Sequence, residues 1–110
     1  MFLPAPDESL WVGVLRLSLL IPGARSLKDK RRVVAQLRDR IKARHHLHAA
    51  EVGSLDDHTR AVMALSIVSN EAVAARSFLD RLTHDISAFS DGIIESATVE
   101  VLRPFSHLTP

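Results

Sequence analysis

Positively charged side chains are concentrated in one short segment of this chain, residues 25–46, which reads RSLKDKRRVVAQLRDRIKARHH. The segment holds nine of the fourteen lysines and arginines and only two acids, Asp29 and Asp39. It therefore carries +7, while the other residues sum to −6 and the whole chain to +1. Cationic groups collected in this way could neutralise phosphates, so the charge split predicts a surface that faces a polyanion.

Helical spacing within this segment predicts which cations act together. Arg31, Arg38 and Lys42 fall in a narrow wedge along one side of the apolar stripe. Several cations also crowd the start of the helix, where the helix dipole is already positive, so a bound anion would relieve repulsion there. The predicted nucleic-acid or anion-binding residues are Arg25, Lys28, Lys30, Arg31, Arg32, Arg38 and Lys42.

A second interpretation of the segment stays open, namely the solvated face of an amphipathic helix whose arginine stems cover the edge of the core. The shortage of acids argues against it, because solvated helix faces usually alternate charges for pairing at i,i+4. Lys30 is a special case, since its helical angle places it inside the apolar stripe. For Lys30 alone, a buried stem with the ammonium extended to solvent is the simpler explanation.

The other polar clusters predict no reaction. His45, His46 and His48 resemble a metal cluster, but a third ligand at a fixed offset is missing, so we predict no metal and no cofactor. The acids and histidine of residues 54–59 lie in a polar loop, where aspartate is expected for turn formation. The chain contains no Walker loop, dinucleotide motif or nucleophile elbow. These observations favour a protein that is not an enzyme.

The elements that position these residues follow from the hydrophobic pattern. Strands are predicted at residues 10–21, 46–52, 60–69 and 93–102, and helices at 26–44 and 71–89. Ser26 and Asp29 form a capping box for the first helix, and Asn70 is the predicted cap of the second. On the last strand, Ile93 is predicted to face the same side as Val99.

The order β-α-β-β-α-β predicts an α+β fold, the ferredoxin-like sandwich, with a four-stranded antiparallel sheet and two helices on one face. At 110 residues the chain is the size of one domain. We expect this domain at residues 10–103, between an N-terminal tail at 1–9 and a C-terminal tail at 104–110.

The sheet face that the helices leave open is predicted to be partly apolar, because Val12, Val14 and Leu20 lie on it. Faces of this kind usually find a partner, so we expect a homodimer through this face or through a strand edge.

The compartment follows from what the sequence lacks. It contains no cysteine, and its start has no basic region typical of a secretion signal. The longest apolar run, residues 10–21, is interrupted by Arg16 and is shorter than the roughly twenty residues that a membrane span needs. We expect a cytoplasmic protein with no membrane partner.

Three stretches, GVLRLSLLIPGARSLKDKRRVV (13–34), AEVG (50–53) and SATVEVL (96–102), resemble the YlxP-like family, small bacterial domains of unknown function. The resemblance covers about residues 10–102 and is most specific at 26–32. It implies a ferredoxin-like fold and a bacterial cytosolic protein whose gene often lies among genes for translation initiation and ribosome maturation. It implies no catalytic residue.

Resemblance and charge together predict a non-catalytic module that binds RNA or the ribosome through its basic helix. An oligomeric small-anion-binding domain, or an enzyme with a site at the start of the first helix, remains the alternative.

Overall fold

A four-stranded sheet covered on one face by two helices forms the structure, a computed structural model that describes residues 5–105. The elements are β1 (Trp11–Leu20), α1 (Leu27–His45), β2 (Ala50–Gly53), β3 (Arg60–Ser69), α2 (Ala72–Phe89) and β4 (Ile93–Leu102). All pairings are antiparallel, in the order β2-β3-β1-β4. The predicted ferredoxin-like sandwich is confirmed.

The predicted tails fall partly on residues 1–4 and 106–110, which lie outside the described residues. The division of the chain into two tails and a domain at residues 10–103 therefore stays a prediction.

The core lies between the sheet and the helices, because alternate residues of β1 point toward the helical layer. Leu15, Leu17 and Leu19 are at most 2% exposed, whereas Arg16 between them is exposed. The helices bury one stripe each against these leucines: Val34, Leu37 and Ile41 from α1 and Leu79, Leu82 and Ile86 from α2. Val99 of β4 is half-buried and packs against this cluster.

Helix α1 begins and ends with defined caps. Ser26 has an extended backbone, and its Oγ accepts a hydrogen bond from the Asp29 N–H at 3.1 Å. The Asp29 carboxylate accepts from the N–H of Arg25 at 2.9 Å rather than from Ser26, so the capping box is displaced by one residue. His46 closes the helix in a left-handed conformation, with φ 57°.

The caps correct two predicted boundaries. Strand β2 begins at Ala50 rather than at residue 46, because His46 is the C-cap of α1 and donates its N–H to the Lys42 carbonyl at 2.9 Å. Helix α2 starts one residue later than predicted, so Glu71 occupies the N-cap position, without a side-chain cap, and Asn70 precedes it. Asn70 is therefore not the cap.

Strand β4 contains an irregularity that reverses one predicted side chain. The register opposite β1 shifts after Ser18, so that Leu19 faces Ile94 and Leu20 faces Ile93. A bulge of this kind adds one residue and turns the following side chains to the other face. Ile94 consequently packs against the core and Ile93 is 54% exposed, so the prediction that Ile93 faces inward is wrong.

The two adjacent isoleucines offer a matched test of this register. We expect Ile94→Ala to lower the free energy of unfolding by about 2 kcal/mol, because it opens a gap at the edge of the core. Ile93→Ala should change it by less than about 0.5 kcal/mol. Urea denaturation at low protein concentration measures both. Equal losses would contradict the bulge.

Candidate functional site

Lys30 is 1% exposed, and its ammonium is fully engaged inside the molecule. Nζ donates to the backbone carbonyls of Ser54, Leu55 and Arg60 at 2.8, 3.2 and 3.3 Å. It also lies 2.9 Å from Oε2 of Glu51. An ammonium has three N–H donors and four oxygen atoms surround this one, so no donor is left over, and the Glu51 carboxylate balances its charge. Lys30 therefore ties the start of α1 to the loop between β2 and β3.

This arrangement removes Lys30 from the predicted anion-binding set. Its inclusion there is wrong, because no donor is left for an external ligand. The alternative of an ammonium extended to solvent is wrong too, since the ammonium is buried with the stem. A signal was present in the sequence: Lys30 lies within the apolar stripe of α1, and Glu51 lies on the short strand β2. Two opposite charges at inward-facing positions indicate a buried pair.

We expect Lys30→Met to lower the free energy of unfolding by about 3–5 kcal/mol, the usual cost of leaving one partner of a buried pair uncompensated. Adding Glu51→Gln should recover part of the loss, because it removes the isolated charge. The matched control is Arg38→Met on the exposed side of the same helix, for which we expect a change of less than about 0.5 kcal/mol. Urea denaturation compares the three variants, and equal stability of Lys30→Met and Arg38→Met would contradict the interpretation.

Two further cations of α1 are used in contacts with α2. Arg44 donates from Nε and Nη2 to the Asp85 carboxylate at 3.2 and 2.9 Å, and its guanidinium lies 5.1 Å from the centre of the Phe89 ring. His45 Nε2 lies 2.6 Å from Oδ2 of Asp85. Arg40 donates to the Phe89 carbonyl at the end of α2. These contacts join the C-terminal half of α1 to the end of α2.

The hydrogen bonds from Arg44, and then from His45, hold the pKa of Asp85 below its ordinary value. A carboxylate whose pKa is lowered by folding adds stability above the unfolded pKa of about 3.9, and loses it as the pH falls through the folded value. We therefore expect Asp85→Asn to be less stable than the parent at pH 7, with the difference closing in acid. Urea denaturation at pH 7 and at an acidic pH measures the difference in the free energy of unfolding. A difference that persists when the carboxylate is protonated would show that charge is not the cause.

Six cations of the basic segment remain, and all of them are exposed: Arg25, Lys28, Arg31, Arg32, Arg38 and Lys42. Within residues 5–105, the side chains of these six form no ion pair or hydrogen bond with another residue. The structure thus separates the cations of the segment into three that hold the fold together and six that do not. Charge counting alone could not make this distinction.

Two of the six line a cavity of 260 Å³ beside α1, together with His48 and Ala49 from the segment before β2. These two, Arg38 and Lys42, belong to the predicted wedge and lie on the side of α1 away from α2. His48 was not among the predicted residues. It reaches this position because the left-handed backbone at His46 ends the helix and turns the chain back along it.

The start of α1 is less open to an anion than its charge suggests. A cavity of 300 Å³ there is lined by Gly23, Asp29 and Arg32, among others. The Asp29 N–H is taken by Ser26, and the Asp29 carboxylate itself sits at the helix terminus, bonded to the Arg25 N–H. A negative group of the protein thus already complements the positive end of the dipole.

The fold and the exposed cations of α1 define a small α+β domain with a single basic helix. The chain belongs to the family described as Protein of unknown function (DUF503), which it matches over residues 12–99. A comparison with curated proteins finds no match.

The described part of the chain contains neither a group of metal ligands nor a helix that could span a membrane. Between residues 5 and 105, no three histidine, aspartate or glutamate side chains are grouped so that they could hold a metal ion. Neither α1 nor α2 is long and apolar enough to cross a membrane, and the described residues contain no other candidate.

Proposed function

We propose that this protein binds the phosphate backbone of structured RNA, without catalysis, through the outward side of α1. The observation that carries the proposal is the set of six exposed cations that have no partner within residues 5–105. The other three cations of the segment all have internal partners, so the unpaired state of the six is not a general property of the helix.

The unpaired cations also work against folding. Lys28 lies three and four residues before Arg31 and Arg32, and Arg38 lies four residues before Lys42, so like charges are neighbours on the helix surface. Each such pair costs about 0.2–0.5 kcal/mol. Cations near the start of a helix add a further unfavourable interaction with its dipole. A bound polyanion would replace this repulsion by favourable contacts. Binding therefore accounts for the cluster, whereas folding stability does not.

The extent of the cluster favours a polymer over a small anion. From Lys28 to Lys42 the helix rises about 21 Å, a length that spans several phosphates of a nucleic acid backbone. A single small anion would contact only one end of this row, and at the helix start the Asp29 carboxylate already lies near the available N–H groups. We therefore favour RNA over the small-anion site or enzyme considered from the sequence.

Several finer assignments are part of the same proposal. The resemblance to YlxP-like proteins covers nearly the same residues as the family match, and it supports a bacterial, cytoplasmic protein that acts near the ribosome. We also propose that the protein forms a homodimer, since Val12, Val14 and Leu20 lie on the uncovered sheet face.

Two double variants test the RNA proposal, because each removes two positive charges from an exposed helix surface. Arg38→Gln/Lys42→Gln changes the proposed face, and Arg76→Gln/Arg81→Gln changes α2. With a ribosomal RNA stem-loop as the probe, we expect the first variant to bind more weakly. The slope of log K against log salt is negative, and it should become shallower by about two units, because each lost phosphate contact removes roughly 0.9.

The α2 variant should keep the parent slope. Circular dichroism confirms that both variants are folded. Equal affinity of the parent and the α1 variant at the same salt would refute the proposal, and equal weakening of both variants would reduce it to a non-specific effect of net charge.

A further inference from the structure

Two opposite charges stand unpaired on the sheet face that the helices leave uncovered. Arg16 projects from the central strand β1, where its direct neighbours are Ala64 and Thr98. Glu100 projects from β4 opposite Val14, one side-chain position further along the same face. Both are exposed, and neither forms an ion pair with another residue between 5 and 105.

The surroundings of this pair are largely apolar or small. The register places on this face Val12, Val14 and Leu20 from β1, Val62, Ala64 and Val68 from β3, and Ile93 and Leu102 from β4. Arg60, which is paired with Glu95, lies opposite Leu20 at the end of the same face. Val68 is 71% exposed and Leu102 is 37% exposed. Apolar side chains so exposed on one face, with few charges between them, are typical of a surface that another protein covers.

The size of the face is adequate for such contact. Three strands of ten residues are about 33 Å long and together about 14 Å wide, and the four-residue β2 adds a strip about 13 Å long, so the face projects about 500 Å². Side-chain relief makes the accessible area larger than this projection. A standard interface buries about 800 Å² per partner, so the face alone is close to the area that a specific dimer needs.

We propose that a second copy of this chain covers the face, and that Arg16 of each subunit pairs with Glu100 of the partner subunit. This inference rests on the homodimer proposed above and assigns its interface. A two-fold axis can lie in the plane of the interface and pass between Arg16 and Glu100. This axis places Arg16 of one subunit opposite Glu100 of the partner subunit, and Glu100 opposite Arg16 of the partner subunit. The same two charges then form two identical ion pairs, so the face is complementary to itself.

The strand edges are less suitable than the sheet face as the dimer interface. The β2 edge has four residues and a register shift between Glu51 and Gly53, and β4 carries the bulge at Glu95. Bulges and short strands disfavour pairing of one edge with another. The Arg60–Glu95 ion pair adds charge close to the β4 bulge.

Charge reversal followed by mixing tests the assignment. Arg16→Glu alone, or Glu100→Arg alone, would place like charges in both pairs, and we expect each variant to raise the dimer dissociation constant by about 100-fold. An equimolar mixture should form a heterodimer, because both pairs then again join opposite charges. Analytical ultracentrifugation gives the masses, native mass spectrometry identifies the heterodimer, and circular dichroism confirms that each variant is folded. Arg76→Glu on α2 is the control and should dimerise like the parent.

Each contrary result has a distinct meaning. A parent that is monomeric at high micromolar concentration overturns the homodimer itself. Variants that dimerise on their own as well as the parent does would move the interface to another surface, such as a strand edge. Variants that stay monomeric after mixing would show that Arg16 and Glu100 do not face each other, and the inference fails.

Discussion

The structure depends on how the buried ammonium of Lys30 is neutralised. A charge with 1% exposure is tolerated only when oxygen atoms replace the water it has lost, and here they come from Glu51 and from three carbonyls near the β2–β3 loop. The shortest of these contacts is to Ser54, whose left-handed backbone (φ 57°) costs about 1–2 kcal/mol for a residue other than glycine. The loop thus accepts local strain in order to direct its carbonyls at α1, and this fixes the helix against the sheet.

Most of the fold could be predicted because its signals are local. The alternation along β1, the apolar stripe of α1 and the cap at Ser26 each depend on neighbours within a few residues. The errors concern features that depend on partners distant in the sequence. Ile94 replaces Ile93 in the core because of the register opposite β1, and β2 starts late because His46 is needed to close a helix. Neither the one-residue shift in β4 nor the four-residue delay of β2 can be deduced from the hydrophobic pattern alone.

The candidate site shows the same division. Helical spacing alone predicts that Arg38 lies beside Lys42, since angles around one helix follow from sequence spacing. In the structure the two residues line the same cavity. It could not show that Lys30 meets carbonyls 24 to 30 residues away, or that Arg44 meets an acid on the other helix. Which charges are free is a tertiary property. The sequence supplied the charge of the segment, and only the packing of α1 reveals how much of it remains for a ligand.

Both helices lie on the same side of the sheet, and this asymmetry determines what a pair of subunits could do. If the uncovered sheet faces of two subunits meet, the two basic helices lie on opposite outer surfaces of the dimer. Their exposed cations then face away from each other. One short duplex could not contact both of them, whereas two separate helices of a folded RNA, or two molecules, could be held at once. Binding would then gain from effective concentration rather than from a larger single interface. Such a dimer would act as a spacer of fixed thickness, about four layers of secondary structure, between two RNA segments.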